Sequence, residues 1–301
     1  MNASLAEVEL LPPEDVCVGR FDAMGGPCEV LVETDREPVA RALTARAADC
    51  AARIEQKFSR YRKDNIVARI NSARGAPVEV DDETANLLDF ADLVHRLSGG
   101  LFDITSGVLR RAWTFDGGAR VPTAAELERL LPLVGWSKAR WERPVLTLLP
   151  DMQIDFGAIG KEYAVDQAAQ ALSRASPVAA LVNFGGDLAA TRARAGGRAW
   201  RVGIEDVSDT SRRQAVRLIE LQAGALATSG DTHRFVTANG ERLPHILDPR
   251  DGFPVRGAPR SVTVAAPTCT NAGMLTTLAM LRGAGAEAFL EGEGVRHWIQ
   301  R

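Results

Sequence analysis

No run of about 18 consecutive apolar residues occurs in the chain, so no membrane-spanning helix is expected. The opening stretch, MNASLAEVELLPPEDV, lacks a basic start and a long apolar segment, so it does not read as a secretory signal. Cys17 follows Glu14 and Asp15 closely, which does not suit a lipoprotein cleavage site. The expected location is cytoplasmic. A basic surplus is absent as well: 36 Lys and Arg against 39 Asp and Glu leave a net charge of −3, which argues against a general nucleic-acid binder. Cys17, Cys28, Cys50 and Cys269 are scattered without CxxC spacing, so neither a zinc site nor a redox pair is expected and the thiols read as reduced. There is no internal repeat, low-complexity tract or obvious linker.

What is present suffices for a sizeable core. The 301 residues are 46% hydrophobic and 25% charged, the balance of an ordinary globular chain. Residues 1–19, with Pro12-Pro13, read as a loose leader, and residues 20–301 as a single domain. Arg20 to Glu33 reads as a strand interrupted at Met24-Gly25-Gly26. Val39 to Phe58 has apolar residues at helical spacing. A short helix follows, with Asp64 as its expected cap, and then a helix from Thr84 to Leu97. Thr123 with Glu126 three residues later predicts a capping box. Strands are expected at Ala179 to Ala190 with a break at Gly185-Gly186, at Trp200 to Glu205, Val216 to Leu221 and Gly224 to Thr228, and at Ser261 to Ala266. Asn239-Gly240 predicts a hairpin turn. Helices are expected at Asn271 to Leu281 and Ala284 to Leu290, and a last strand at Val295 to Ile299. The class is α+β, with mixed and antiparallel sheets and helices packed outside them.

The stretch Ile154 to Asp166, IDFGAIGKEYAVD, organises the rest. Val145 to Leu149 and Met152 to Phe156 read as a hairpin around Pro150-Asp151. Gly157 and Gly160 then break the strand, and Glu162 to Leu172 reads as a helix. A strand that ends in glycines and feeds a helix gathers free N–H groups and the positive end of the helix dipole, which suits phosphate. Lys161 in the first turn adds a full charge, and Asp155 at the strand end can accept a hydrogen bond or stand near a metal. The same pattern also serves as a plain junction with a surface lysine. Further glycine–acid breaks fall at Gly185-Gly186-Asp187, at Ser229-Gly230-Asp231 and at Asp248 to Gly252. Each is an ordinary turn taken alone; together they offer backbone amides for close approach to a polyphosphate. His245, three residues before Asp248, can serve as a general base or as a structural histidine.

These residues resemble the ApbE family of flavin transferases. The matching set runs in order: Met24-Gly25; Ser59-x-Tyr61 with Ile70-Asn71; Gly100-x-Phe102-Asp103; Asp155 to Asp166; Asn183-x-Gly185-Gly186-Asp187; Thr228-Ser229-Gly230-Asp231; and His245-Ile-x-Asp248-Pro249-Arg250-x-Gly252. The Ser261-Val-Thr-Val-Ala strand and the helix after it complete the set. The resemblance implies an ApbE-like, T-fold-like architecture and a transfer of FMN from FAD, with Mg2+, to a Thr or Ser hydroxyl in the motif of a target protein, releasing AMP. It implies that Met24, Tyr61, Leu101, Phe102, Asp103, Asp155, Lys161, Ile246 and Leu247 line FAD. The glycine–acid breaks Gly185, Gly186, Asp187, Ser229, Gly230 and Asp231 join that cofactor set. His245 and Lys161 are the catalytic candidates, and Ala158, through its carbonyl, and Thr277 are the metal ligands. Tyr61 and Phe102 suit ring contacts with the flavin or core packing.

The chain departs from the family pattern twice. Gly273 stands where the last helix of the family carries a metal-binding aspartate. Glu162 stands where the family prefers glycine after the lysine. Glu162 either supplies a replacement carboxylate or crowds the site, and loss of the aspartate is expected to impair the metal site. Restoring it with Gly273→Asp, in the first turn of the Asn271–Leu281 helix, is expected to raise activity. Two other readings stay open: a degenerate FAD-binding carrier or regulator, and an FAD pyrophosphatase.

Overall fold

The computed structural model describes residues 7–11, 16–208, 215–231, 235–238 and 241–301. The first part of the chain forms β1 (Glu7–Leu11), β2 (Val16–Ala23), β3 (Gly26–Val32), α1 (Glu37–Phe58), α2 (Ile66–Asn71), β4 (Val78–Glu79) and α3 (Asp82–Leu97). The middle adds α4 (Ala124–Leu130), β5 (Arg140–Glu142), β6 (Val145–Thr147), α5 (Gly160–Ala175), β7 (Ala180–Phe184) and β8 (Asp187–Ala190). The remainder comprises β9 (Trp200–Glu205), β10 (Ala215–Leu221), β11 (Gly224–Gly230), β12 (Phe235–Ala238), β13 (Glu241–Pro244), β14 (Ser261–Ala266), α6 (Cys269–Leu281), α7 (Ala286–Gly292) and β15 (Arg296–Gln300).

An eight-stranded sheet in the order β1-β2-β3-β7-β8-β11-β14-β15 forms the frame. Every strand pair among the described residues is antiparallel. The expected α+β class holds. Alternation along β2 shows how the sheet is covered: Cys17 and Phe21 join the core under the helices, while Val16 and Val18 join a second core closed by Trp200, Ile204, Ile219 and Leu221 of the β9–β10 ribbon. Helix α1 can lie close on β2 because half of its buried residues are alanine, at Ala40, Ala47, Ala48 and Ala51. At Gly19 the approach leaves no room for a side chain; a Cβ there would stand 2.0 Å from Thr44 Oγ1. The apolar α6 is buried on several sides, with Cys269, Ala272, Gly273, Leu275, Thr276 and Leu278 all covered.

Several expectations need correction. Residues 7–11 and 16–19 are not a loose leader, since they pair as β1 and β2 at the sheet edge. Pro12-Pro13 and the Asn239-Gly240 turn lie outside the described residues. The hairpin around Pro150-Asp151 does not form; β6 pairs with β4 and β5, and Met152–Phe156 is buried chain without a strand partner among the described residues. Met152, Ile154 and Phe156 alternate inward and so mimic a strand, and they pack into the main core. Asn71 supplies what a partner strand would, donating to the Ile154 carbonyl at 3.0 Å and accepting from its N–H at 2.8 Å. The cap of α2 is Asn65, which accepts from Ala68 N–H at 2.9 Å, while Asp64 pairs with Arg62. Strand β11 runs on through Ser229-Gly230, so these residues extend the sheet instead of ending it. The predicted capping box of α4 is present at Thr123 and Glu126.

Candidate active site

The registers bring the main motifs to one end of the sheet. The pairs Ala23↔Gly26, Cys28↔Phe184 and Phe184↔Asp187 set the β2–β3 and β7–β8 turns side by side, and Leu188↔Leu226 and Gly230↔Ser261 place the end of β11 and the start of β14 there too. Gly185 N–H donates to the Pro27 carbonyl at 3.1 Å, which ties the two turns together. Both turns have positive φ at their central residues: Met24 56° and Gly25 80°, Gly185 59° and Gly186 94°. This is the two-residue turn that matches strand twist, and glycine adopts it without steric cost. Met24 has a Cβ and is strained in this region; Glu55 accepts its N–H at 3.1 Å and so helps hold it.

Helix α5 points its start at the same place. Lys161, in its first turn, donates to the Gly185 carbonyl at 3.3 Å, and its Nζ stands 2.8 Å from Asp187 Oδ2, an ion-pair distance outside hydrogen-bond angle. Burial works against the charge on Lys161, but the adjacent Asp187 outweighs it and raises the pKa, so the ammonium persists. Asp187 is buried, and its other oxygen accepts from Thr228 N–H at 3.0 Å. Ser229 Oγ lies 2.9 Å from Thr276 Oγ1, which links β11 to α6, and Thr276 donates to the Gly273 carbonyl at 2.9 Å. Asp166 of α5 caps the start of α6, accepting from Cys269 N–H at 2.7 Å and from Thr270 N–H at 2.9 Å. That cap fixes the two helices relative to each other and was not legible in the motif.

Glu162 is the unusual member of this group. It is 8% exposed, burial and then the charge of Asp187 push its pKa up to about 8, and its Oε2 has no hydrogen-bond partner among the described residues. It fills the space beside Gly273: a Cβ at position 273 would stand 2.5 Å from Glu162 Cγ and 2.8 Å from Oε1. The expected gap at Gly273 is therefore occupied. Because α6 starts at Cys269 behind its cap Thr268, Gly273 lies in the second turn and not the first. Thr277, half-buried, lies four residues on and so on the same helix face. Ala158 is exposed in the turn that leads into α5. Among the described residues no cluster of three or more His, Cys, Asp and Glu side chains is arranged to hold a metal ion.

Other predicted residues are held differently. Asp155 pairs with Arg60 at 2.9 Å and Arg110 at 3.8 Å and accepts from Gly157 N–H at 2.9 Å, arginine partners that its motif did not reveal. Asp231, also buried, pairs with Arg260 at 2.8 Å and Arg242 at 3.5 Å. Asp103 caps the following 3-10 segment, Ile104–Arg111, through Thr105 N–H at 2.8 Å and also accepts from Trp136 N–H at 2.8 Å. The side chain of Phe102 is packed in the core at 4% exposure, whereas Tyr61 is 77% exposed beside Arg60. Gly99, Gly100 and Asp103 share a cavity of about 550 Å³ with Pro249 and Arg250. Leu101 borders a neighbouring hollow with Arg250 and Phe289. Ile246 accepts from Val255 N–H at 3.1 Å, and Leu247 forms a bridge with Pro254. His245, half-buried after β13, packs edge-on to Phe115 with centroids 6.2 Å apart.

Comparison with known proteins decides the family. The model of the ApbE family matches residues 24–298. The chain belongs to the ApbE family. Among ApbE relatives, the FAD:protein FMN transferase of Haemophilus influenzae is 30% identical over 234 residues, 74% of this chain and 68% of that protein. The enzyme of the same name from Treponema pallidum is 32% identical over 248 residues, 76% of this chain and 68% of that protein. The fold agrees with an ApbE protein of Thermotoga maritima at a TM-score of 0.85 and 30% identity over 94% of each chain. The apo flavinyl transferase ApbE of Pseudomonas stutzeri superposes with a TM-score of 0.80 at 26% identity, covering 99% of this chain and 92% of that one.

Proposed function

We propose that this chain is an FAD:protein FMN transferase. FAD binds with its phosphates at the sheet end formed by the Met24-Gly25 and Gly185-Gly186 turns, next to the start of α5. The hydroxyl of a Thr or Ser in the target motif attacks the phosphorus on the FMN side of the pyrophosphate. The bond to the AMP phosphate breaks, FMN becomes esterified to the protein, and AMP leaves. The observation that carries this reading is Lys161, charged, half-buried beside Asp187 and bonded to the Gly185 carbonyl at 3.3 Å, at the mouth of a glycine turn.

Lys161 would neutralise the charge that builds on the leaving phosphate; a fixed cation at a partly dry site does this better than water. The two turns let the backbone approach the ligand closely. His245 takes the hydroxyl proton. Tyr61, Leu101, Asp103 and the Ile246–Leu247 backbone position the remainder of FAD. The buried Oε2 of Glu162 without a partner is the mark of a site that suits a cation. A magnesium ion there, with the Ala158 carbonyl and the Thr277 hydroxyl as further ligands, would supply charge neutralisation to the phosphates.

Co-expression with a protein that carries a flavinylation motif tests the reading. The expected result is in-gel flavin fluorescence on the target, lost when the acceptor Thr or Ser is replaced by Ala. FAD cleaved to FMN and AMP with no label on the target would indicate a pyrophosphatase, and FAD bound but intact would indicate a carrier.

A further inference from the structure

Two helices share one buried carboxylate position at this site. Helix α5 sends Glu162 into the α5–α6 interface, and α6 meets it with Gly273. The contact exists only because residue 273 has no side chain: a Cβ there would overlap Glu162 Cγ at 2.5 Å, Oε1 at 2.8 Å and Cδ at 2.9 Å. Glu162 is not a structural ion-pair residue. No cation within salt-bridge distance pairs with it among the described residues, and its Oε2 is buried without a hydrogen-bond partner. The nearby ammonium of Lys161 is taken by Asp187 at 2.8 Å. A carboxylate buried in this way is costly unless a ligand completes it.

We propose that Glu162 is the anionic ligand of the cation bound with FAD, supplied from α5 in exchange for a carboxylate on α6, and that Gly273 is the complementary half of this exchange. The proposal rests on the flavin-transferase reading above. The two departures from the family pattern, an acid in place of the glycine after Lys161 and a glycine in place of the aspartate on α6, are then one change made in two places. The carboxylate enters the same space from the opposite helix. Thr277 lies on the Gly273 face of α6, and Ala158 stands in the turn that leads into α5. One carboxylate with neutral oxygens and ligand phosphates is a usual set for a small hard cation.

The test is a cation titration on folded protein, read by Mn2+ electron paramagnetic resonance with saturating FAD and repeated by Mg2+ calorimetry. Glu162→Gln is expected to weaken cation binding at least tenfold while FAD still binds in metal-free buffer. Gly273→Asp alone is expected to perturb the α5–α6 contact without tightening the cation. The double variant Glu162→Gly with Gly273→Asp is expected to return Mn2+ affinity to within about threefold of the parent. Glu162→Gln that binds Mn2+ as tightly as the parent overturns the proposal, as does a parent that binds no cation. FAD that binds neither with nor without Mn2+ overturns the transferase reading and the proposal with it, whereas FAD that binds while Glu162→Gln titrates like the parent overturns the proposal alone.

Discussion

Glu162 and Asp231 are both acids buried near the site, at 8% and 4% exposure, and they are treated oppositely. Asp231 is surrounded by Arg260 at 2.8 Å and Arg242 at 3.5 Å, and Arg242 in turn covers the Phe235 ring at 3.6 Å. Its charge is matched inside the fold, so it serves structure. Glu162 has no such match, and its pKa is pushed up to about 8 by burial and the charge of Asp187. An acid whose charge is balanced by arginines stabilises the chain; an acid left unbalanced marks where something else is meant to bind.

Lys161 tests the contrast most severely, because it balances Asp187 and leaves Glu162 to a ligand. Lys161→Ala is expected to lower FMN transfer about 10²–10³-fold, the cost of removing a fixed electrostatic contact to the reacting group. The same change strands Asp187, which is 1% exposed, so stability falls as well. Adding Asp187→Asn should recover the urea midpoint but not the fluorescence on the target. Recovery of both would make Lys161 a purely structural cation.

Packing gives the next effect. Gly273→Asp places a side chain inside Glu162, and overpacking of this kind costs about 1–3 kcal/mol in urea unfolding. Glu162→Gly in the same chain should remove that cost. Equal stability of Gly273→Asp and the parent would show that Glu162 swings away freely. The expectation from sequence, that Gly273→Asp alone raises activity, did not take account of Glu162 in that space.

Asp231→Asn sharpens the comparison directly. It should cost about 1–2 kcal/mol, since two partly exposed arginines lose a charged acceptor, and leave Mn2+ affinity unchanged. Glu162→Gln should do the reverse: it removes an unmatched buried acid, so the urea midpoint of the metal-free protein should not fall, while cation binding weakens at least tenfold.

The smallest effect concerns a third acid. Burial favours the neutral form of Glu83, but bonds from Arg53, Lys57 and Tyr163 outweigh it and bring its pKa from 4.5 to about 2. A depressed carboxylate contributes stability that is present above pH 4.5 and lost as pH falls toward 2. Glu83→Gln should therefore flatten the fall in thermal midpoint across that window. An unchanged slope would assign acid sensitivity elsewhere.

Much of the frame is legible locally. Thr123 and Glu126 predict their capping box because both bonds form within one turn, and Gly185-Gly186 predicts a hairpin because only that turn needs positive φ twice. The errors arise where a distant partner decides. Met152–Phe156 alternates like a strand, yet Asn71 takes its hydrogen bonds. Asp64 and Asn65 are both good caps, and Arg62 takes the aspartate. Ser229-Gly230 looks like an end but has Val262 and Ser261 across from it. Within the site, the glycine turns and Lys161 could be read from sequence. The meeting of Glu162 with Gly273 could not, because no local pattern sets which residues face each other across α5 and α6.

The most direct test of the exchanged carboxylate is a crystal structure with FAD and Mn2+, located by anomalous scattering. The account predicts a manganese peak at about 2.0–2.3 Å from a Glu162 carboxylate oxygen, beside the FAD phosphates. A manganese ion bound to those phosphates with Glu162 turned away, beyond coordination distance, would contradict it.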